Sequence, residues 1–374
     1  MDNKNNRQNI VIAGLGSAGA RLAHLLLTEL DEAEYNIVIV SPRPFYILYP
    51  ATARLVVSDI DNLQEHVFIP VDKILKGKGT FIQAKVAQIE EARGRDGGEV
   101  VLDNGERMPY RVLVLATGAS WEHPLSFPNS PQDVLEYLTK SREAFEKAKS
   151  ILLIGAGAVG VEIAGEIKDI WPKKKVTIVH GGSLPFSAAY PDRFRRAAES
   201  SLRARDVELV LGDYVDEMPS PGDSEVRTRG GRALKSDLVL STRGQRFNTD
   251  FIAASLGEDV VSKQGLVKIQ PTFQVVNRKD IFAIGDIIDW NEQKQLAKAN
   301  KHADLAAKNI CGYLAGTPLR AYKGEPEMIV VTNGRNGGVG YLGILWGIVL
   351  GGWFARMVKS RKLLLDQLPG MVGV

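Results

Sequence analysis

Apolar positions along the chain alternate between short unbroken runs and stripes at helical spacing. Residues 9–13 form a β-branched apolar run, the pattern of a buried strand. Residues 20–30 then place Leu22, Leu25, Leu26 and Leu30 at helical spacing, and residues 36–40 form a second buried run. Together they predict a strand–turn–helix–strand unit. Runs at 80–89 and 99–102, joined by a glycine turn at 94–98, predict a hairpin or meander, and 111–115 predicts a further buried strand. After a proline-bearing linker at 121–131 and a helical stretch at 132–149, the unit recurs: strand 150–154, helix 161–170, strand 175–179. A short strand at 237–241 parallels 111–115, so the architecture is duplicated within the chain. A last buried strand at 281–284 precedes a helix over 296–314, where Ala299, Ala303, Ala306 and Ala307 permit close packing. From Thr317 onward the pattern reads as an appendix.

The turn of each unit carries the chemistry. The first reads Gly14-Leu15-Gly16-Ser17-Ala18-Gly19 and the second Gly155-Ala156-Gly157-Ala158-Val159-Gly160, its first glycine 141 residues after Gly14. Glycines at this spacing permit a tight turn, close approach of backbone to a pyrophosphate, and close helix–strand contact. The helix that follows offers unpaired N–H groups and a positive dipole end to phosphate. One such motif is weak; two copies, each between a buried strand and a helix, predict two dinucleotide sites.

An acidic residue about 20 positions on normally binds the ribose hydroxyls. Ser41 and His180 stand there instead. Ser41 can still hydrogen-bond a ribose. At His180 no carboxylate is present to repel a 2′-phosphate, so NADPH is expected to serve as well as NADH. Glu162, two residues past the second turn, suits either the helix dipole or the orientation of a nicotinamide. Gly285-Asp286, at the end of the 281–284 run, suits a carboxylate that accepts hydrogen bonds from a ribityl chain, although Gly-Asp is also an ordinary turn. His302, on the next helix, is a candidate proton donor or else a packed helix residue.

Composition narrows the rest. A chain of 374 residues, 44% apolar and 24% charged, is a folded protein of two or three domains. A net charge of +3 gives no general polyanion or nucleic-acid binder. Residues 320–374 carry seven Lys or Arg against three acids, so the positive excess lies in the tail. Cys311 is alone, which excludes an internal disulfide and a thiol relay and fits a reducing compartment. The five histidines share no ligand spacing, so no metal site is expected. No Gly-x-Ser-x-Gly elbow and no P-loop occur. The polar start reads as neither a secretory leader nor, with Asp2, a myristoylation signal.

Residues 339–355 carry no charge, and Arg356, Lys359, Arg361 and Lys362 follow at once. As one helix at about 1.5 Å per residue, the run would fall just short of a hydrocarbon layer of about 30 Å. Its five glycines weaken that helix. Three readings stay open: a buried interface, an anchor at the membrane surface, or a single span. The basic flank with Trp346 and Trp353 favours the membrane surface.

GLGSAG at 14–19, ATG at 116–118, GAGAVGVE at 155–162, FAIGD at 282–286, GRNGGVG at 334–340 and VKSR at 358–361 together carry a family resemblance. The chain is similar to flavoproteins with two dinucleotide-binding domains, related to type II NADH dehydrogenases and apoptosis-inducing factor. Within these it resembles fungal-like members of the ferroptosis-suppressor group. The resemblance implies an α/β fold of two nested Rossmann-type, glutathione-reductase-like domains with a C-terminal appendix. It assigns FAD to 1–124 and 245–324, NAD(P)H to 125–244, and membrane or interface association to 325–374.

The activity implied is that of an NAD(P)H:quinone oxidoreductase. FAD contacts carry over to Gly14, Gly16, Gly19, the Lys85-Val86 backbone, Thr117, Gly118 and Asp286, with Ala116 and Gly285 adjoining. Nicotinamide-dinucleotide contacts carry over to Gly155, Gly157, Gly160 and Glu162, and the 49–54 loop with Arg54 approaches the flavin. A quinone substrate, a membrane surface met through 339–362, and a homodimer are the partners implied. The expected location is cytoplasmic and peripheral, on a lipid droplet, the plasma membrane or the mitochondrial outer membrane. Departures are Ser41 in place of the usual acid, Arg243 within Ser241-Thr242-Arg243-Gly244, and no lipidation signal. A redox-gated signalling protein, a reductase of a soluble protein acceptor and an NADH oxidase stay open as alternatives.

Overall fold

The structure, a computed structural model, describes residues 7–219 and 224–374. The polar leader at residues 1–6 lies outside the described residues. Two parallel sheets organise the chain. The first has five strands in the order Ile281–Ala283, Val112–Leu115, Gln8–Ala13, Tyr35–Val40 and Thr80–Ile82. The second has four, in the order Leu238–Ser241, Ser150–Ile154, Lys175–His180 and Val207–Leu211. In each, the strand before the glycine turn is central, flanked by the next strand in the chain and by a later one. The inner strands are solidly buried Val, Ile and Leu, as parallel sheets covered on both faces require.

The second unit is inserted into the first. The segment leaving the first sheet, Ala119–Ser120, pairs antiparallel with the segment returning, Arg246–Phe247. Each unit also carries an antiparallel element: Val86–Glu91, Gly98–Leu102 and Arg107–Tyr110 in one, and Glu225–Arg227 with Ala233–Lys235 in the other. The run expected as one strand over 80–89 is split. Thr80–Ile82 joins the parallel sheet, the chain turns at 83–85, and Val86–Glu91 enters the meander. Helix Ser17–Glu29 packs along Leu296–Ala315, whose Ala299, Ala303, Ala306 and Ala307 are buried.

The appendix departs from its expected form. No helix covers 339–355. The strands Met328–Thr332, Gly338–Leu342 and Ile348–Leu350 form an antiparallel sheet, followed by the short helix Gly352–Ala355 and a π-helical turn Arg356–Ser360. Glycine, β-branched and aromatic residues dominate this run, and the backbone reverses through left-handed Leu345, Trp346 and Gly347. Among the described residues no helix is long and apolar enough to cross a membrane.

Candidate functional site

The two glycine turns are built alike. Gly14 has φ +115°, and a Cβ there would lie 2.3 Å from the Ala116 carbonyl oxygen. A Cβ on Gly19 would lie 2.1 Å from the Gly14 oxygen. In the second turn, Gly155 has φ +124° and would meet the Thr242 oxygen at 2.4 Å, and Gly160 would meet the Gly155 oxygen at 2.0 Å. The first and third glycines are therefore required by packing inside the protein. The middle ones are not: a Cβ on Gly16 or Gly157 meets nothing within 4 Å. That open side leaves room for a diphosphate to approach the backbone.

Each middle glycine is also the N-cap of a 13-residue helix, with no side-chain cap and no acid in the first turn. The first helical bonds run from Ala20 N to Gly16 O and from Val161 N to Gly157 O. The amides of residues 17–19 and 158–160 thus have no helical acceptor, and they are donors for an anion. The residues fit a dinucleotide in both turns on this ground. Ser17, Ala18 and Val159 lie within these first turns.

Ser41 and His180 occupy matching places where the second strand of each unit ends. Gly14 N bonds Val40 O, and Gly155 N bonds Val179 O. The Ser41 hydroxyl is buried and accepts from Arg43 N at 3.3 Å. His180 Nδ1 accepts from Ala156 N at 3.3 Å, tying the ring to the second glycine turn. Burial pushes the imidazole below its ordinary pKa, and Arg195 adds to this. Arg243 stands where Thr117 stands in the first unit, and its guanidinium reaches Glu122 and the Asp216 carbonyl.

Thr117 Oγ1 donates to Asn248 O at 2.7 Å, and Asn248 Nδ2 donates back to Thr117 O at 3.0 Å. Gly118, with φ +60°, faces open space beside them. Across the sheet, Gly285 has φ +79° and Asp286 accepts from Gln245 Nε2 at 3.1 Å. Burial pushes the Asp286 carboxyl above its ordinary range, while Gln245, Lys294 and His302 pull it back. Asp286 therefore gains from further hydroxyl donors. The Lys85 backbone is already used: its N–H donates to Asp103 Oδ1 at 3.0 Å, and its carbonyl accepts from Asp103 N at 2.9 Å. Val86 begins the meander strand.

His302 is enclosed. Its ring packs against Phe273 and Tyr322 at 5.1 and 5.0 Å between centroids. Nδ1 accepts from Gly285 N at 3.3 Å, and Nε2 pairs with Glu292 Oε1 at 2.7 Å. Both nitrogens are occupied, and the ring holds the Gly285-Asp286 turn in place. The geometry is that of a positioning residue.

Glu162 and Arg54 meet the appendix. Glu162 Oε1 accepts from Thr332 N at 3.0 Å and from Lys359 Nζ at 2.5 Å. One turn on, Glu166 pairs with Arg54 through two bonds of 2.8 and 2.9 Å, and Arg54 Nη2 also donates to Ser360 O at 2.7 Å. Arg54 is 1% exposed, and its Nη1 has no acceptor among the described residues. A third carboxylate on the same face, Asp169, accepts from Arg205 and from Arg335 N. Gly165 lets the Asn333-Gly334 turn lie flush on this helix, since a Cβ there would sit 2.4 Å from Gly334 N. Sequence reasoning did not single out Lys359, Glu166 or Gln245 as site residues. VKSR at 358–361 was the signal for Lys359, and nothing local marks the other two.

Residues 8–304 match the family model described as pyridine nucleotide-disulphide oxidoreductase. The FAD-dependent oxidoreductase FVFD30 of Flammulina velutipes is 47% identical over 321 residues, covering 85% of this chain and 99% of its own. Ferroptosis suppressor protein 1 of Taeniopygia guttata is 29% identical over 296 residues, covering 77% of each chain. Among solved structures, the sulfide:quinone oxidoreductase of Aquifex aeolicus aligns with a TM-score of 0.74 at 17% identity, covering 98% of this chain and 93% of that one. The last is a likeness of fold.

Proposed function

Since this chain belongs to the pyridine nucleotide-disulphide oxidoreductase family and is an FAD-dependent NAD(P)H oxidoreductase, we propose that its electrons pass to a quinone at a membrane surface. Bound FAD supplies a two-electron carrier that takes a hydride from NAD(P)H and passes electrons onward. Overall, NAD(P)H, a proton and the quinone give NAD(P)⁺ and the quinol. The amides of residues 17–19 hold the flavin diphosphate, and those of 158–160 hold the nicotinamide diphosphate. Asp286 accepts from ribityl hydroxyls, and His302 fixes the turn that carries it. Thr332 and Lys359 hold the Glu162 carboxylate in one orientation, where it limits the position of the nicotinamide. The donor left over on Arg54 suits an oxygen of a bound ligand. The proton comes from water, because His302 is enclosed.

The observation that carries the acceptor is the double role of the appendix. Residues 332 and 359–360 close over Glu162 and Arg54. The same segment exposes Leu345, Trp346, Trp353 and Met357. An isoprenoid quinone is met at a bilayer surface, and 339–362 is the part of the chain suited to reach it. A thiol relay is absent. Cys311 is alone, and burial with Glu29 beside it pushes its pKa up to about 11.

The test is NAD(P)H oxidation by the purified yellow protein with short-chain ubiquinone, a ferredoxin, or oxygen alone, with and without liposomes. Quinone-dependent turnover that rises with liposomes is expected. Turnover with ferredoxin or oxygen but not with quinone overturns the acceptor. Slow oxidation with all three would favour a signalling role.

A further inference from the structure

The most exposed large apolar side chains of the described residues sit side by side at one hairpin tip. Trp346 is 98% and Leu345 77% exposed, and Ile344 and Met328 flank them at 43% and 42%. Soluble surfaces rarely gather such residues without a partner. The backbone beneath them is held in an unfavourable form. Leu345 and Trp346 have φ +47° and +64°, a region that branched and bulky residues avoid. Gly347 N closes the turn on Ile344 O at 2.8 Å. Arg193, on the helix Asp192–Arg203, donates to the Trp346 and Gly347 carbonyls. The tip is thus a built turn, fastened from below, with its side chains turned outward.

The charge around it selects the partner. Of the five cations between residues 328 and 365, Arg335, Lys359 and Lys362 pair with Asp61, Glu162 and Asp366, while Arg356 and Arg361 pair with no carboxylate among the described residues. Arg356 and Arg361 are exposed beside exposed Trp353 and Met357, and Arg193 and Arg196 are exposed on the supporting helix. An indole, a leucine and exposed cations suit the headgroup boundary of a bilayer carrying anionic lipid. We infer that the Leu345-Trp346 tip inserts into the surface of an anionic phospholipid bilayer and is the chain's point of membrane attachment, in place of any helix. This deepens the membrane half of the function proposed above and rests on it.

The experiment uses the full-length flavoprotein and vesicles of phosphatidylcholine with or without phosphatidylglycerol. Wild type should sediment with the anionic vesicles. The double variant Leu345→Glu/Trp346→Glu should lose that binding by about tenfold or more, with flavin content and short-chain quinone reduction unchanged. Brominated lipids should quench the fluorescence of wild type and spare the Trp346→Phe variant by the share due to that indole. Equal vesicle binding by wild type and double variant overturns the inference. So does a double variant that binds vesicles normally but dissociates a dimer, because the tip would then be a surface for a second copy. Absence of quinone reduction in wild type and variant alike would sink the proposed acceptor, and the vesicle result would stand apart from it.

Discussion

Lys359 reaches back across 197 positions of sequence to place its Nζ 2.5 Å from Glu162 Oε1. Thr332 N shares the same oxygen at 3.0 Å. Two donors on one oxygen fix the carboxylate near the start of the second glycine-turn helix, which we propose receives the nicotinamide dinucleotide. Positioning of this kind matters because misplacement by about 1 Å costs on the order of a hundredfold in rate. Glu162→Ala should slow reduction of the flavin by NAD(P)H by roughly 10- to 100-fold while leaving the bound flavin spectrum in place. Lys359→Met should do the same to a smaller degree. Stopped-flow bleaching of the yellow absorbance measures both. A colourless Glu162→Ala protein would show that the residue serves the first dinucleotide fold instead.

Arg54 and Glu166 form a fully buried bidentate pair, 1% and 3% exposed. Burial pushes the Glu166 carboxyl up, and Arg54 opposes that shift. Removing one partner strands a buried charge, which costs about 3–5 kcal/mol. Arg54→Met should therefore lower the denaturation midpoint sharply. It should also loosen the appendix, because the Ser360 carbonyl loses its donor. Arg54→Met/Glu166→Leu, with no charge left to strand, should recover much of the loss. Urea unfolding followed by flavin release and by far-ultraviolet dichroism compares the three proteins. Equal stability of wild type and Arg54→Met would remove the pair from the interface argument.

Among the described residues Asp286 has one donor, Gln245 Nε2 at 3.1 Å, for a carboxyl raised by burial. Ribityl hydroxyls would supply the missing donors. Asp286→Ala should purify with little or no flavin and regain yellow colour only at high added FAD. His302→Leu keeps the ring's volume in part but removes the acceptor for Gly285 N. It should weaken flavin retention less than Asp286→Ala does. Absorbance at the flavin band per mole of protein, before and after dialysis, gives the order.

Much of this arrangement is legible in the sequence. The glycine turns announce themselves because each glycine answers a local demand: a positive φ at Gly14 and Gly155, contact at Gly19 and Gly160, open space at Gly16 and Gly157. Strand, turn and helix lie within thirty residues, so periodicity and turn chemistry agree. The partners of Glu162 and Glu166 are another matter. Lys359 and Arg54 come from segments 197 and 112 positions away, and ion pairs at such range leave no periodic trace. The appendix misleads for a different reason. An uncharged run rich in glycine, isoleucine and tryptophan satisfies a helix by hydropathy and a hairpin by backbone freedom, and length alone does not separate them. The antiparallel pairing of Val331 with Val339 and of Tyr341 with Val349 settles it in favour of the hairpin.

His180 should make the choice between dinucleotides depend on pH. Its pKa lies below the ordinary imidazole value of 6.5, chiefly through burial. The ring is thus neutral at pH 7 and becomes a cation only as the pH falls through its lowered value. Protonation costs folding free energy in the free protein, because the unfolded chain takes the proton more readily below pH 6.5. A 2′-phosphate beside the ring reverses that cost, since the dianion stabilises the imidazolium and raises its pKa. NADPH should therefore gain on NADH as the pH is lowered from 7.5 toward about 5.5, seen as a falling ratio of their KM values. His180→Asn should flatten the ratio across that range. His180→Asp should restore a carboxylate at the ribose and discriminate against NADPH by roughly tenfold or more. A KM ratio that does not move with pH in wild type would place the 2′ position away from this ring.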